Sequence, residues 1–122
     1  MSGRLARGED PGAFFDRADI EAEQQSPDGR GGYVSGGWEA IPGGSGIPVA
    51  IRPLSADERI RAMQAEADVT HEVITRVYVP GVRADNRLRV TTDGGRLLYL
   101  VAAPIEVGRR QRLRLLCRER EA

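Results

Sequence analysis

The fold class predicted for this chain is mainly β: a small antiparallel barrel of about six strands with one short helix and long glycine-rich loops. Three observations carry it. Beyond residue 70 the chain alternates apolar and polar residues with period two, the spacing of half-buried strands. Turn pairs such as Asp28-Gly29, Pro80-Gly81 and Asp93-Gly94 cut that alternation into short runs. With 122 residues the chain has material for one modest core and no more.

Residues 1–12, "MSGRLARGEDPG", are small, charged and aperiodic, which predicts a flexible N-terminal arm ahead of a single domain over 13–122. "FFDRADIEAE" (14–23) sets Phe14, Asp16, Ala18, Ile20 and Ala22 on one side of an extended chain and predicts a first strand. "SPDGRGG" then supplies turn chemistry with positive φ. A second strand is expected in two pieces, 33–41 and 47–52, interrupted by "PGGSG". Seven of the 15 glycines fall between Arg30 and Gly46, which marks this stretch as the adaptable part of the chain.

"PLSADERIRAMQAEAD" (53–68) predicts the one helix, because Ser55 caps it and Glu58, three residues on, completes a capping box. Ile60, Met63 and Ala67 make a narrow apolar stripe, opposed by Asp57, Arg59, Arg61, Gln64 and Glu66. A helix so marked is not deeply buried. "THEVITRVYV" (70–79) returns to period two and ends at "PGV". "NRLRVTTDGGRLLYLVAA" reads as a hairpin about Asp93-Gly94, a pair suited to a type I′ turn. In a second hairpin, turning near Gly108, Leu113, Leu115 and Cys117 share one face against Arg112, Arg114, Leu116 and Arg118.

Composition excludes several chemistries. All 18 basic residues are arginine, so a Walker A lysine and a Schiff-base amine are both missing. The single Cys117 forms no internal disulfide, and its phase with Leu113 and Leu115 places it in the core. A lone His71 with Asp68 and Glu72 nearby makes a poor metal site and no catalytic pair, and reads as a structural histidine at a strand start. No enzyme activity and no cofactor are expected. An acidic start and the lack of a long apolar run argue for a soluble chain made in the cytoplasm, without signal peptide or membrane span.

The net charge of +0 conceals an asymmetry. Residues 1–75 carry 7 arginines against 13 acids, and residues 76–122 carry 11 against 5, so the halves differ in sign at −6 and +6. Such ends suit copies that meet front to back, or strands that pair within one chain. The arginine tract from Arg109 and Arg110 through Arg112, Arg114, Arg118 and Arg120 also suits a phosphate backbone. Against that, only 5% of residues are aromatic, too few for a stacking ladder, and alternate arginines equally protect an edge strand.

Taken in order, "GGYVSGGWEAI", "VAIRPLSADERIRA", "VTHEVITRVYVPGVRADNRLRV" and "GGRLLYLVAAPIEVGRRQRLRLLCRE" resemble the head-tail joining proteins of tailed phages, the head-closure or stopper family. The resemblance spans residues 14–119; the N-terminal arm and the expanded glycine stretch after Trp38 depart from it. It implies a small β-barrel that assembles as a ring, expected to be a hexamer, beneath the portal and adaptor proteins. That ring joins them to tail terminator or tail-tube proteins and gates the channel for packaged double-stranded DNA. The setting it implies is a virion or a phage-like particle such as a gene transfer agent, assembled in the bacterial cytoplasm, with no membrane partner. Candidate interface or channel residues are Trp38 and Tyr33 in the glycine stretch, Asp57, Glu58, Arg59, Arg61 and Gln64 on the helix, and Arg109 and Arg110 at the last turn. The alternative is a small-barrel nucleic-acid-binding protein that uses the C-terminal arginines.

Overall fold

The structure, a computed structural model, describes residues 14–65 and 68–120. Eight strands and one helix follow one another: β1 (Asp16–Pro27), β2 (Tyr33–Ala40), β3 (Ile47–Pro53), α1 (Ala56–Gln64), β4 (His71–Thr75), β5 (Arg87–Val90), β6 (Arg96–Leu100), β7 (Ile105–Val107) and β8 (Arg112–Arg120). Neighbours pair in the order β1-β3-β4-β8-β6-β5, and β5 returns to β1, closing a six-stranded antiparallel barrel. Strands β2 and β7 lie outside the closed ring, on β1 and β8. The predicted N-terminal arm, with Ala67 and Glu66 of the helix, falls outside the described residues.

The period-two pattern becomes an inside and an outside. Ala18 and Ile20 of β1, Leu88 and Val90 of β5, Leu98 of β6, and Leu113, Leu115 and Cys117 of β8 meet Val49 and Val73 in one core. Each fully buried Leu or Ile there contributes roughly 1.5–3 kcal/mol of transfer free energy. The second strand does run in two pieces. β2 and β3 both pair with β1, through Glu21↔Ala40 and Ala18↔Ile47, so residues 41–46 bulge out between two collinear segments. Three backbone bonds pin the bulge: Ile41 N to Ile20 O, Ile20 N to Gly44 O, and Gly44 N to Ile41 O, at 2.7 to 2.9 Å. A Cβ on Gly44 would lie 2.7 Å from Ile41 Cγ1 and 3.1 Å from Ile20 O, so this approach requires glycine.

Two elements differ from expectation. The strand expected over 70–79 stops at Thr75, because the Thr75 hydroxyl takes over: Oγ1 donates to Val77 O at 2.6 Å and accepts from Leu113 N at 2.9 Å. Val79 rejoins the core from beyond the bend. All five β4 residues are buried, since Arg52 and Arg114 cover the outward Glu72. The helix is shorter than 53–68, and its apolar stripe does not face the core. Ser55 and Glu58 form the complete capping box, and no residue of α1 is buried, in keeping with its narrow stripe.

Candidate assembly interface

The helix site is built on charge. Arg52 at the end of β3 donates to both oxygens of Glu58, at 2.7 and 2.9 Å, and also reaches Glu72 on β4. Arg114 of β8 completes the relay from the other side of Glu72. The Arg52 guanidinium, helped by the Ser55 backbone N–H, holds the Glu58 carboxyl down at about 2. Glu58 therefore serves two masters, the helix cap and the barrel. Its position turns Glu58, Arg61 and Ala62 toward Val69 and Leu116 around a groove of about 180 Å³. Ile60 and Met63 point the other way and are 54% and 63% exposed. Asp57, Arg59, Arg61 and Gln64 are exposed as well.

The glycine stretch divides at Trp38. The Trp38 ring lies under the Arg87 guanidinium at 4.2 Å and edge-on to Tyr99 at 5.7 Å, so the residue is half-buried on its own barrel. Arg87 also binds Glu21 and the Tyr99 hydroxyl, and Arg120 covers the other part of Tyr99 at 4.7 Å. Beyond Trp38 the β1–β2 pair projects as a ribbon. Its register shifts between Glu23 and Gln25, and Tyr33 and Val34 near its tip are exposed. The strand expected over 33–41 is thus present as β2, inside the glycine stretch.

At the last turn Gly108 and Arg110 both have positive φ, 69° and 53°. Arg110 is the one non-glycine residue with positive φ among the described residues, and its side chain stands 78% exposed, 3.9 Å from Glu106. Arg109 is exposed and makes no ion pair among the described residues. Further along the tract, Arg114 is held by Glu72, Arg118 approaches Asp68 at 3.9 Å, and Arg120 stacks on Tyr99. The charge asymmetry is largely answered within the chain: Arg87 and Arg89 of β5 meet Glu21 and Asp19 of β1 across the seam that closes the barrel. Composition alone allows that pairing without locating it. Its signal was the matched alternation of "DIE" and "RLR".

His71 and Cys117 occupy structural positions. Arg96 Nη2 can only donate, so His71 Nε2 accepts it at 2.7 Å and the ring proton sits on Nδ1, donated to Thr70 Oγ1 at 2.8 Å. Burial, then the Arg96 charge, lowers the pKa of His71 below 6.5. Cys117 is buried, and desolvation pushes its thiol up to about 12. No cluster of three or more metal-ligating side chains occurs among the described residues. Among the described residues no helix is long and apolar enough to cross a membrane.

Known proteins agree with this architecture. Protein SF1141 from Shigella flexneri 2a, solved in solution, superposes with a TM-score of 0.71 at 28% identity, over 90% of this chain and 96% of that one. No curated protein sequence matches the chain. The family described as phage head completion protein matches residues 10–120, nearly the whole length. That family comprises structural proteins of the virion. A barrel with its core filled, its closing seam paired by charge and its helix and ribbon left uncovered is a scaffold of that kind, and the chain belongs to the phage head completion protein family.

Proposed function

We propose that the chain is a ring-forming connector component that joins the portal and adaptor side of a DNA-filled head to the tail and closes the channel between them. The observation that carries this reading is the family match over residues 10–120, on a barrel several of whose exposed apolar groups sit on outlying elements. Tyr33 and Val34 on the ribbon and Ile60 and Met63 on the helix are surfaces a solitary monomer has no use for. In a ring they meet neighbours. The helix, tied to the barrel by the Arg52–Glu58 pair, is the element suited to face the channel, with Asp57, Arg59, Arg61 and Gln64 in contact with water or DNA. Trp38 fixes the root of the ribbon so that its tip is presented in one direction.

The test is genetic and biochemical. Particles made without the chain should accumulate as packed heads and separate tails, and the wild-type chain supplied in trans should join them in several copies per particle. Joined, DNA-delivering particles in its absence would overturn the reading. Salt-sensitive binding of duplex DNA by the pure chain, lost on replacing Arg109 and Arg110, would instead support the nucleic-acid-binding alternative.

A further inference from the structure

A closed barrel has no edges, so the two strands left outside it are where this chain offers backbone to another. Among the described residues, β2 has one edge on β1 and the other free, and β7 has one edge on β8 and the other free. Both project past the same end of the barrel. The ribbon leaves β1 beyond Glu21, level with Arg87 and Tyr99, and β7 continues past Leu100 in the direction of β6.

The ribbon is poorly supported by its own chain. None of residues 22–43 is buried, although the stretch carries Tyr33 at 69% and Val34 at 51% exposure. An isolated two-stranded ribbon is marginal in water, and this one exposes both faces. Its charge identifies what covers it. Residues 22–43 hold three acids, Glu23, Asp28 and Glu39, against Arg30, and none of these four makes an ion pair among the described residues. The β7–β8 hairpin, residues 105–112, holds three arginines against Glu106 and exposes Ile105 at 43%. At its tip Arg110 is kept in the left-handed region, where a side chain other than glycine is strained, and points into solvent.

We propose that the occupant of each surface is a second copy of this chain: the β1–β2 ribbon of one copy docks on the β7–β8 hairpin of the next, extending the sheet from the free edge of β2 to the free edge of β7. Glu23 and Glu39 then approach Arg109 and Arg110, and Val34 covers Ile105. The contact joins two different patches, so it propagates around a ring instead of stopping at a dimer. This inference rests on the ring reading above and specifies its interface.

Two measurements on assembled particles test it. In the first, Val34→Cys and Ile105→Cys are combined and the particles treated with a bifunctional maleimide; Cys117 is buried and does not compete. A denaturing gel should show a ladder of multimers from the double variant and no ladder from either single one. In the second, Glu23→Arg/Glu39→Arg or Arg109→Glu/Arg110→Glu should each lower incorporation by roughly tenfold through like-charge repulsion, and the four changes together should restore it. All of these positions are exposed, and circular dichroism of each variant reports whether the barrel still forms. Normal incorporation of either charge-reversed variant, or cross-linking that stops at a dimer, would overturn the docking while leaving the ring intact. Particles containing a single copy would overturn the ring reading itself, and the docking with it.

Discussion

His71 shows how a single side chain constrains the barrel. Its ring is held neutral between a donor-only guanidinium and Thr70, and a proton arriving on Nε2 would face Arg96 directly. Because its folded pKa lies below the ordinary 6.5, the unfolded chain binds more protons as pH falls through that value. The stabilisation is complete above that value and is lost toward the lower folded one. Melting temperature should therefore drop as pH falls below 6.5, and His71→Gln, which removes the titrating ring, should flatten the slope. An unchanged slope in the variant would assign the drop to other groups; Glu119, whose pKa is lowered by Arg96, acts only below its ordinary 4.5. Cys117→Ser should lower stability by about 1–2 kcal/mol, measured by denaturant unfolding, because a hydroxyl replaces a thiol in a fully apolar setting. The phase of Cys117 with Leu113 and Leu115 made its burial legible in the sequence. The Arg96 contact to His71 was not legible, since the two stand 25 residues apart and only the barrel's register brings them together.

At the scale of elements, local signals were read well and tertiary ones less so. The capping box of α1, the β5–β6 hairpin and the interrupted strand around "PGGSG" all depend on residues within a few positions of one another, and all three occur, although the hairpin turns on Gly94 and Gly95, both at positive φ, one residue beyond the predicted Asp93-Gly94 pair. The orientation of α1 does not follow from its own stripe. The Arg52–Glu58 pair decides it, drawing Glu58 to the barrel and leaving Ile60 and Met63 outward. With no buried residue and one ion-paired tether, the helix should exchange its amide protons far faster in the isolated chain than β6 and β8 do, and slow down in the particle. Ser55→Ala should weaken the helix by about 1 kcal/mol and leave barrel unfolding almost unmoved. Equal protection of helix and strands in the monomer would show that the barrel alone orders it.

For the whole molecule, period two and turn spacing predicted a small barrel, and closure is what they left open, because closure depends on a seam between residues 18–21 and 87–90. That seam is a ladder of apolar pairs inside, Ala18 with Val90 and Ile20 with Leu88, and of charge pairs outside, Asp19 with Arg89 and Glu21 with Arg87. Glu21 is 7% exposed at its side chain and Arg87 15%, so neither keeps enough water to be stable alone. Breaking a buried pair from one side costs roughly 3–5 kcal/mol. The second arginine, Arg89, is 43% exposed, and solvent there reduces what it contributes. Glu21→Gln should accordingly cost on the order of 2–3 kcal/mol, since Arg87 keeps Tyr99 and Trp38 but loses its anion. Arg87→Gln should cost as much or more, because it also uncovers Trp38. The double variant should recover part of the sum, and a double-mutant cycle in denaturant should give a coupling of about 1–2 kcal/mol. Additive losses would mean that the apolar ladder closes the barrel unaided, and the opposite charges of the two halves of the chain would then be free to act between copies.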